Sequence, residues 1–276
     1  MVYAGQVPTH SKPLLYEENV RNIRENILEI LHAAQASHLG SSMSIVEILT
    51  AMYSVANIEK IIAHTDDRDR IIVSKGHAAA ATYAVMYEFG LIDRKDLLSY
   101  HQKGSKLQGH VSHGVKNVEH STGALGHGLS VGVGHAIYLK NKGLNSRTMV
   151  LCGDGEIQEG SVWEALMLAS TKKLNGLVLL VDVNGISSIK KTEDVISTGE
   201  LRERFRGFGL RVVEVDGHEV SAIRKVILSS QDEQQPLVIL CQTIKGKGVP
   251  FAEGEAIWHY RSLNTETYRL ALGELK

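Results

Sequence analysis

The sequence is short of the features that would staple, charge or anchor a chain. Its 276 residues include two cysteines, Cys152 and Cys241, both inside apolar runs. That excludes a disulfide scaffold and fits a reducing compartment. Charge of one sign is missing too: 30 Lys and Arg against 31 Asp and Glu leave a net charge of -1. No basic run goes beyond pairs such as Lys172-Lys173 and Lys190-Lys191, so the footprint of a nucleic-acid partner is absent. No apolar stretch approaches the ~18 residues needed to cross a bilayer, and Met1 to Lys12 holds no apolar signal core. Internal repeats, low-complexity tracts and linkers are lacking as well. The composition is that of a soluble, cytoplasmic, globular protein with enough chain for a buried core. What stands out is 26 Gly and 13 His.

The first residues are polar, carry Pro8 and Pro13, and read as a loose arm over 1–14. The remainder, 15–276, reads as one domain. Val20, Ile23, Ile27, Ile30, Leu31 and Ala34 recur at threes and fours, which predicts a helix over 15–36. Small residues at 37–42 break that pattern, and Ser42 is placed to cap a second helix over 43–55. Further helices are expected over 78–89, 158–172, 202–208 and 219–229. Strands are expected over 70–74, 148–152, 177–182, 211–215 and 237–242. The run Leu177 to Val181 is continuously apolar, as in strands buried on both faces of a parallel sheet. This alternation predicts an α/β fold, a parallel sheet flanked by helices, with ligands beyond the carboxyl ends of the strands. The glycines from Gly104 to Gly134 suggest loops that bring backbone close to a ligand, with the Gly132-Val133-Gly134 stretch suited to close helix packing. The tail after Gly248 shows no clear period.

The sharpest signal follows the strand that ends at Cys152. It reads Gly153-Asp154-Gly155-Glu156-Ile157-Gln158-Glu159-Gly160 and runs into an amphipathic helix. The next strand ends in Val183-Asn184-Gly185-Ile186, with Asn184 thirty residues after Asp154, the length of one helical crossover. If the two strands are neighbours, a carboxylate and an amide oxygen meet at one sheet edge, with a backbone carbonyl nearby. Such an all-oxygen set suits Mg²⁺ or Ca²⁺. Gly155 leaves room for an anion to approach its N–H, beside the positive end of the following helix. A divalent ion beside a helix N-terminus is the makeup of a diphosphate site. Taken singly, Gly-Asp-Gly and Asn-Gly are ordinary turns; the strand-helix-strand context is what makes them a candidate site.

These residues resemble the thiamine diphosphate signature, and the run from Gly153 to Ala165 resembles transketolase in particular. Ser37-His38-Leu39-Gly40, Ser74-Lys75-Gly76-His77-Ala78, Gly109-His110, Ser121-Thr122-Gly123-Ala124-Leu125-Gly126-His127-Gly128 and Thr243-Ile244-Lys245-Gly246-Lys247-Gly248 follow in transketolase order. The resemblance covers about 20–260. The length matches only the amino-terminal part of a one-chain transketolase, so it implies the split form.

The resemblance implies thiamine diphosphate and Mg²⁺ (or Ca²⁺) as cofactors, and transfer of a two-carbon ketol unit from a ketose to an aldose. It implies that Asp154, Asn184 and the Ile186 carbonyl hold the metal, and that Gly153, Asp154, Gly155, Glu156 and Asn184 contact the diphosphate. It places Gly123 and Leu125 against the cofactor rings. His38, His77 and His110 match the active-site histidines, with His77 also near the diphosphate; imidazole suits proton transfer near neutral pH. His259 resembles the last of that set, although Tyr260 stands where the family has Gly. The missing pyrimidine-binding domain implies a separate partner chain, in an assembly of two chains of each kind. A different thiamine diphosphate enzyme, such as a 2-oxoacid dehydrogenase subunit or a specialised ketol or acyl transferase, is the alternative. The Glu156-Ile157-Gln158-Glu159-Gly160 run and the Ser37-His38-Leu39-Gly40 loop argue against the first of these.

Overall fold

Short β-branched and aliphatic runs alternate with helices along the chain, and in the computed structural model, which describes residues 16–232 and 234–275, these runs lie side by side. The arm expected over 1–14 lies outside the described residues. Strands β1 (Arg70–Val73), β2 (Thr148–Gly153), β3 (Leu177–Val183), β4 (Arg211–Asp216) and β5 (Leu237–Gln242) form one sheet in the order β1-β2-β3-β5-β4, and every pairing is parallel. All five expected strands are present. Because they are parallel, their carboxyl ends share one edge. The register sets Gly153 opposite Asp182, so the segments that follow β2 and β3 emerge side by side.

Side chains alternate strictly between the two faces of the sheet. Ile71, Val73, Met149, Leu151, Val178, Leu180 and Ile239 point to one core, covered by helices Tyr16–Ala34, Val46–Val55, Ala79–Glu88, Val220–Leu228 and Thr265–Glu274. Ile72, Val150, Cys152, Leu179, Val181 and Val238 point to the other, covered by helices Gly128–Asn141, Gly160–Thr171 and Leu201–Gly207. Burial on both faces is why β3 reads as an apolar run from Leu177 to Val181.

Three local expectations change. The helix expected over 43–55 is two, Leu39–Met43 and Val46–Val55, and Ser42 lies inside the first instead of capping the second. The break falls at Ser44, whose hydroxyl donates to the buried carboxylate of Asp182. Part of the glycine-rich stretch is helix: Gly128 and Gly132 belong to Gly128–Asn141, where a Cβ would overlap Ser74 and Val150 respectively. These glycines let the helix lie close on β1 and β2. The tail after Gly248 also ends in a helix, Thr265–Glu274, started by a capping box in which Asn264 and Thr267 satisfy each other's backbone N–H groups.

The helix Gly128–Asn141 provides an internal control. Gly132→Ala should cost roughly 1–3 kcal/mol through overpacking against Val150. Gly134→Ala, with open space around it, should be neutral or gain up to about 1 kcal/mol from helix propensity. Denaturant unfolding of the two variants checks this; equal effects would contradict the close packing.

Candidate active site

The carboxyl edge of β2 and β3 brings Asp154 and Asn184 into one constellation. The Asp154 N–H donates to the Asp182 carbonyl (3.1 Å) as the last rung between the strands. Its carboxylate then accepts from the Gly155 N–H on one oxygen and, across the gap, from the Gly185 N–H on the other, both at 2.7 Å. Asn184 donates its Nδ2 to Asp182 (2.8 Å), while its Oδ1 accepts from the Ile186 N–H (3.0 Å). The Ile186 carbonyl in turn accepts from the Lys245 ammonium at 3.0 Å, as does the Ser187 carbonyl at 2.7 Å. Carboxylate, amide oxygen and carbonyl therefore line one turn, and a cationic group already sits on the carbonyl. The all-oxygen donor set is of the kind that suits a hard divalent ion. Burial, reinforced by the charge of Asp182, pushes the Asp154 carboxyl above its ordinary value, a penalty that a bound cation would reverse.

Under this turn lies a carboxylate that sequence reasoning did not single out. Asp182 is fully buried. It accepts from Lys75 Nζ (2.5 Å), Ser44 Oγ (2.8 Å), Asn184 Nδ2 (2.8 Å) and Thr243 Oγ1 (2.5 Å). Burial pushes its pKa up, but the Lys75 ammonium and the hydrogen bonds outweigh that and hold it below the usual carboxylate value. The signal in the sequence is an acid at the sixth place of an otherwise apolar strand, where a buried charge must have a partner. Lys75, which stands beside His77 in its motif with no role of its own expected, is that partner. Lys245 was missed in the same way; burial and then the Lys75 charge lower its pKa to about 8.

The four histidines converge from four separate segments. Ring centroids of His38 lie 5.5 Å from His77, 5.7 Å from His110 and 4.9 Å from His259, and His77 lies 5.2 Å from His259. His38 is held in a left-handed conformation (φ 74°), and its N–H donates to the His259 carbonyl (3.1 Å). Ser41 Oγ is 3.2 Å from His259 Nδ1. His110 is anchored through its carbonyl, which accepts from the Tyr83 hydroxyl (3.3 Å), while that hydroxyl accepts from the Ser112 N–H (3.1 Å). The Tyr260 departure thus leaves His259 within the cluster.

Burial lowers the pKa of three of these histidines, and neighbouring charges add to it. His38 falls to about 4 through burial and then His110, Lys245 and Lys75. His259 falls to about 3 through burial and then Lys245, His38 and Lys75. His77 is shifted well below the ordinary value by burial and then Lys75. Their imidazoles are neutral at pH 7 and able both to donate and to accept.

The glycine-rich loop closes the group. Thr122 donates its hydroxyl to the Val73 carbonyl (2.6 Å), and Gly76 packs so tightly on Thr122 that no Cβ fits between them. Gly123 (φ 154°) leaves just enough room for the His110 ring. Leu125 is half-buried in the same loop, and a Cβ on Gly153, at the end of β2, would just touch the Lys75 side chain. Glu156 is placed differently from what its motif suggests. Its buried carboxylate accepts from Ser74 Oγ and from the N–H groups of Gly126 (2.9 Å) and Gly153 (3.3 Å). All of those contacts are internal, so its side chain pins the loop in place.

Comparison with known proteins agrees with this geometry. Residues 16–273 match the family model described as transketolase, thiamine diphosphate binding domain. The chain is 38% identical to one of the subunits of an apulose-4-phosphate transketolase from Actinobacillus succinogenes, over 94% of this chain and 95% of that protein. It is 33% identical to a 6-deoxy-6-sulfo-D-fructose transketolase subunit from Clostridium sp., over 95% and 96% of the two chains. Its fold is similar to the crystal structure of transketolase from Campylobacter jejuni, with a TM-score of 0.88 at 27% identity, covering 96% of this chain and 43% of that one. The oxygen-lined turn and histidine cluster thus sit in a chain that belongs to the transketolase thiamine diphosphate-binding domain family.

Proposed function

We propose that this chain is the diphosphate-holding subunit of a two-component transketolase, working with a separate chain that carries the pyrimidine-binding domain. One observation carries the reading: it spans 95% of a protein named as a transketolase subunit but 43% of a one-chain transketolase, while four histidines converge beside an oxygen-lined turn. Two of each chain are the expected assembly.

Asp154, Asn184 Oδ1 and the Ile186 carbonyl would hold Mg²⁺, or Ca²⁺ in its place, and the ion would clamp the diphosphate. Lys75 and Lys245 supply positive charge beside it. Gly155 offers backbone approach, and Gly123 and Leu125 line the place for the rings. When bound, thiamine diphosphate supplies the carbanion chemistry of ketol transfer. The side chains of this subunit do the rest. His38, His77, His110 and His259 hydrogen-bond the hydroxyl and carbonyl oxygens of the sugar and move protons at those oxygens. Ser41 orients His259. Two of the relatives are named for sugars with an anionic group, a phosphate in one and a sulfonate in the other, so a ketose with an anionic tail is the proposed substrate class. No described helix is long and apolar enough to cross a membrane. Both cysteines are buried and unpaired, which supports the cytoplasmic placement.

Ketol transfer should require this chain together with its partner. Purified separately and then mixed, the two should show activity only in the mixture, and full turnover by the lone chain would sink the two-component reading. Asp154→Ala should weaken Mg²⁺-dependent binding of thiamine diphosphate on the order of 100-fold, read by calorimetric titration, with melting little changed.

The histidines predict a pH dependence. The folded-state pKa values of His38, His77 and His259 are depressed, so the unfolded chain binds more protons in acid. The stability they contribute is complete above about 6.5 and drains away as pH falls toward about 4 for His38 and about 3 for His259. The cofactor-free chain should melt several degrees lower at pH 5 than at pH 7.5. A His38→Gln, His77→Gln, His259→Gln variant should lose most of that difference.

A further inference from the structure

Lys245 hangs from the loop that follows β5, and a buried side-chain network outside the active site holds that loop on both sides of it. Glu47, in the first turn of helix Val46–Val55, and Arg24, on helix Tyr16–Ala34, are each 6% exposed. Arg24 Nη2 donates to both Glu47 oxygens, at 2.8 and 3.1 Å. His218, two residues beyond β4, lies 3.2 Å from Glu47 Oε2 through Nδ1, and its Nε2 accepts from the Ile244 N–H at 2.9 Å. The tautomer follows. Nε2 must be bare to accept from a backbone N–H, so Nδ1 carries the proton and donates to Glu47. Arg24 completes the arrangement by donating its Nε to the Lys247 carbonyl (3.1 Å). Gly248 follows in a left-handed conformation (φ 88°) where a Cβ would press on the guanidinium.

We infer that Arg24, Glu47 and His218 are positioning residues that fix the Lys245 ammonium at the Ile186 carbonyl and thereby set affinity for the metal-bound diphosphate. The inference rests on the function proposed above. The network holds the peptide groups at Ile244 and Lys247, one residue before and two after Lys245. The loop is also tied by backbone bonds that set the path of the turn, among them Gly246 N–H to the Gly40 carbonyl (3.0 Å) and Gly254 N–H to the Lys245 carbonyl (2.9 Å), and by the Glu253 carboxylate, which accepts from the Gly248 N–H (2.9 Å). A lysine has four side-chain torsions and reaches a point only if its Cα is fixed. His218 fits this task because it lies just past the end of β4, whose last residue, Asp216, pairs with Gln242 at the end of β5. Gly217 makes the approach possible: a Cβ there would overlap Thr243.

The test is a double-mutant cycle on the full chain reconstituted with its partner, reading the Kd for thiamine diphosphate at saturating Mg²⁺ by calorimetry, with melting followed in parallel. His218→Asn can still reach Glu47 but not the Ile244 N–H, and should weaken binding about tenfold, as loss of an outer supporting contact does. His218→Gln places an acceptor near the Nε2 position and should recover binding to within about twofold of wild type on the same scale. Arg24→Lys keeps a charge for Glu47 but gives up the Lys247 carbonyl, and should behave as His218→Asn does; it carries the cycle if His218→Asn melts below the assay temperature. Lys245→Ala should weaken binding at least as much, and neither partner variant should weaken it further, because both act through the lost ammonium. Multiplying effects, wild-type affinity in His218→Asn or Arg24→Lys, or equal losses in His218→Asn and His218→Gln would each overturn the assignment. If the wild type itself binds no thiamine diphosphate, the proposed function fails instead.

Discussion

The contact on which the site depends is the buried pair of Lys75 and Asp182. One carboxylate collects an ammonium from the end of β1, a hydroxyl from Ser44 between two helices, the amide of Asn184 on its own strand and a hydroxyl from Thr243 beyond β5. Three strands and the helical segment that follows His38 are thereby tied at one point. Buried ion pairs return little net stability, because desolvation cancels most of the attraction. What this one contributes is orientation. It commits Asn184 Nδ2 inward, which leaves Oδ1 turned toward Ile186. It also holds the Lys75 ammonium beneath the place where an anion is expected.

That dependence explains what the sequence could and could not show. The sheet was legible because every strand is short, aliphatic and followed by a glycine or polar turn. Asp154 and Asn184 were legible because a crossover of fixed length makes their spacing meaningful. The four histidines were legible only through the resemblance, since their meeting depends on loops far apart in the chain. Asp182, Lys75 and Lys245 were not, because what they do is set by cross-strand neighbours that no local window contains. Helix Gly128–Asn141 was obscured by glycines, which serve close packing on β1 and β2 here while the same residue type in the preceding loop serves turns. Helix Thr265–Glu274 was hidden by a capping box with Thr in place of the usual Glu or Gln. Glu156 was legible through its motif, but the partners of its carboxylate, Ser74, Gly126 and Gly153, lie partly outside any local window.

The charges of the site are all buried and are divided by partner. Lys75 is paired with Asp182, and Lys245, as buried as Lys75, lies against the turn that carries Ile186 and Ser187. The histidines form a separate wall, and the depressed pKa values of His38, His77 and His259 follow from burial first and then from neighbouring charges that include those same lysines. Fixed cations and neutral imidazoles are therefore not independent features. The lysines proposed to favour a polyanion also add to the burial that lowers the pKa values of His38, His77 and His259.

This coupling bears on how one edge can serve two tasks. A diphosphate with its metal needs strong, permanent charge. A sugar hydroxyl that must lose or gain a proton needs a neutral group able to act in either direction. Placed side by side without further control, histidines near a diphosphate would be drawn toward the charged form and would compete with the metal for its oxygens. Lys75 and Lys245 oppose that by raising the cost of a further positive charge nearby, most strongly where water is excluded. The arrangement works only while the ammonium groups stay in place. The inward anchoring of Lys75 on Asp182 and the outward bracing of the Lys245 loop by Arg24, Glu47 and His218 are then two halves of one requirement: the cations must be held by the fold and not by the ligand.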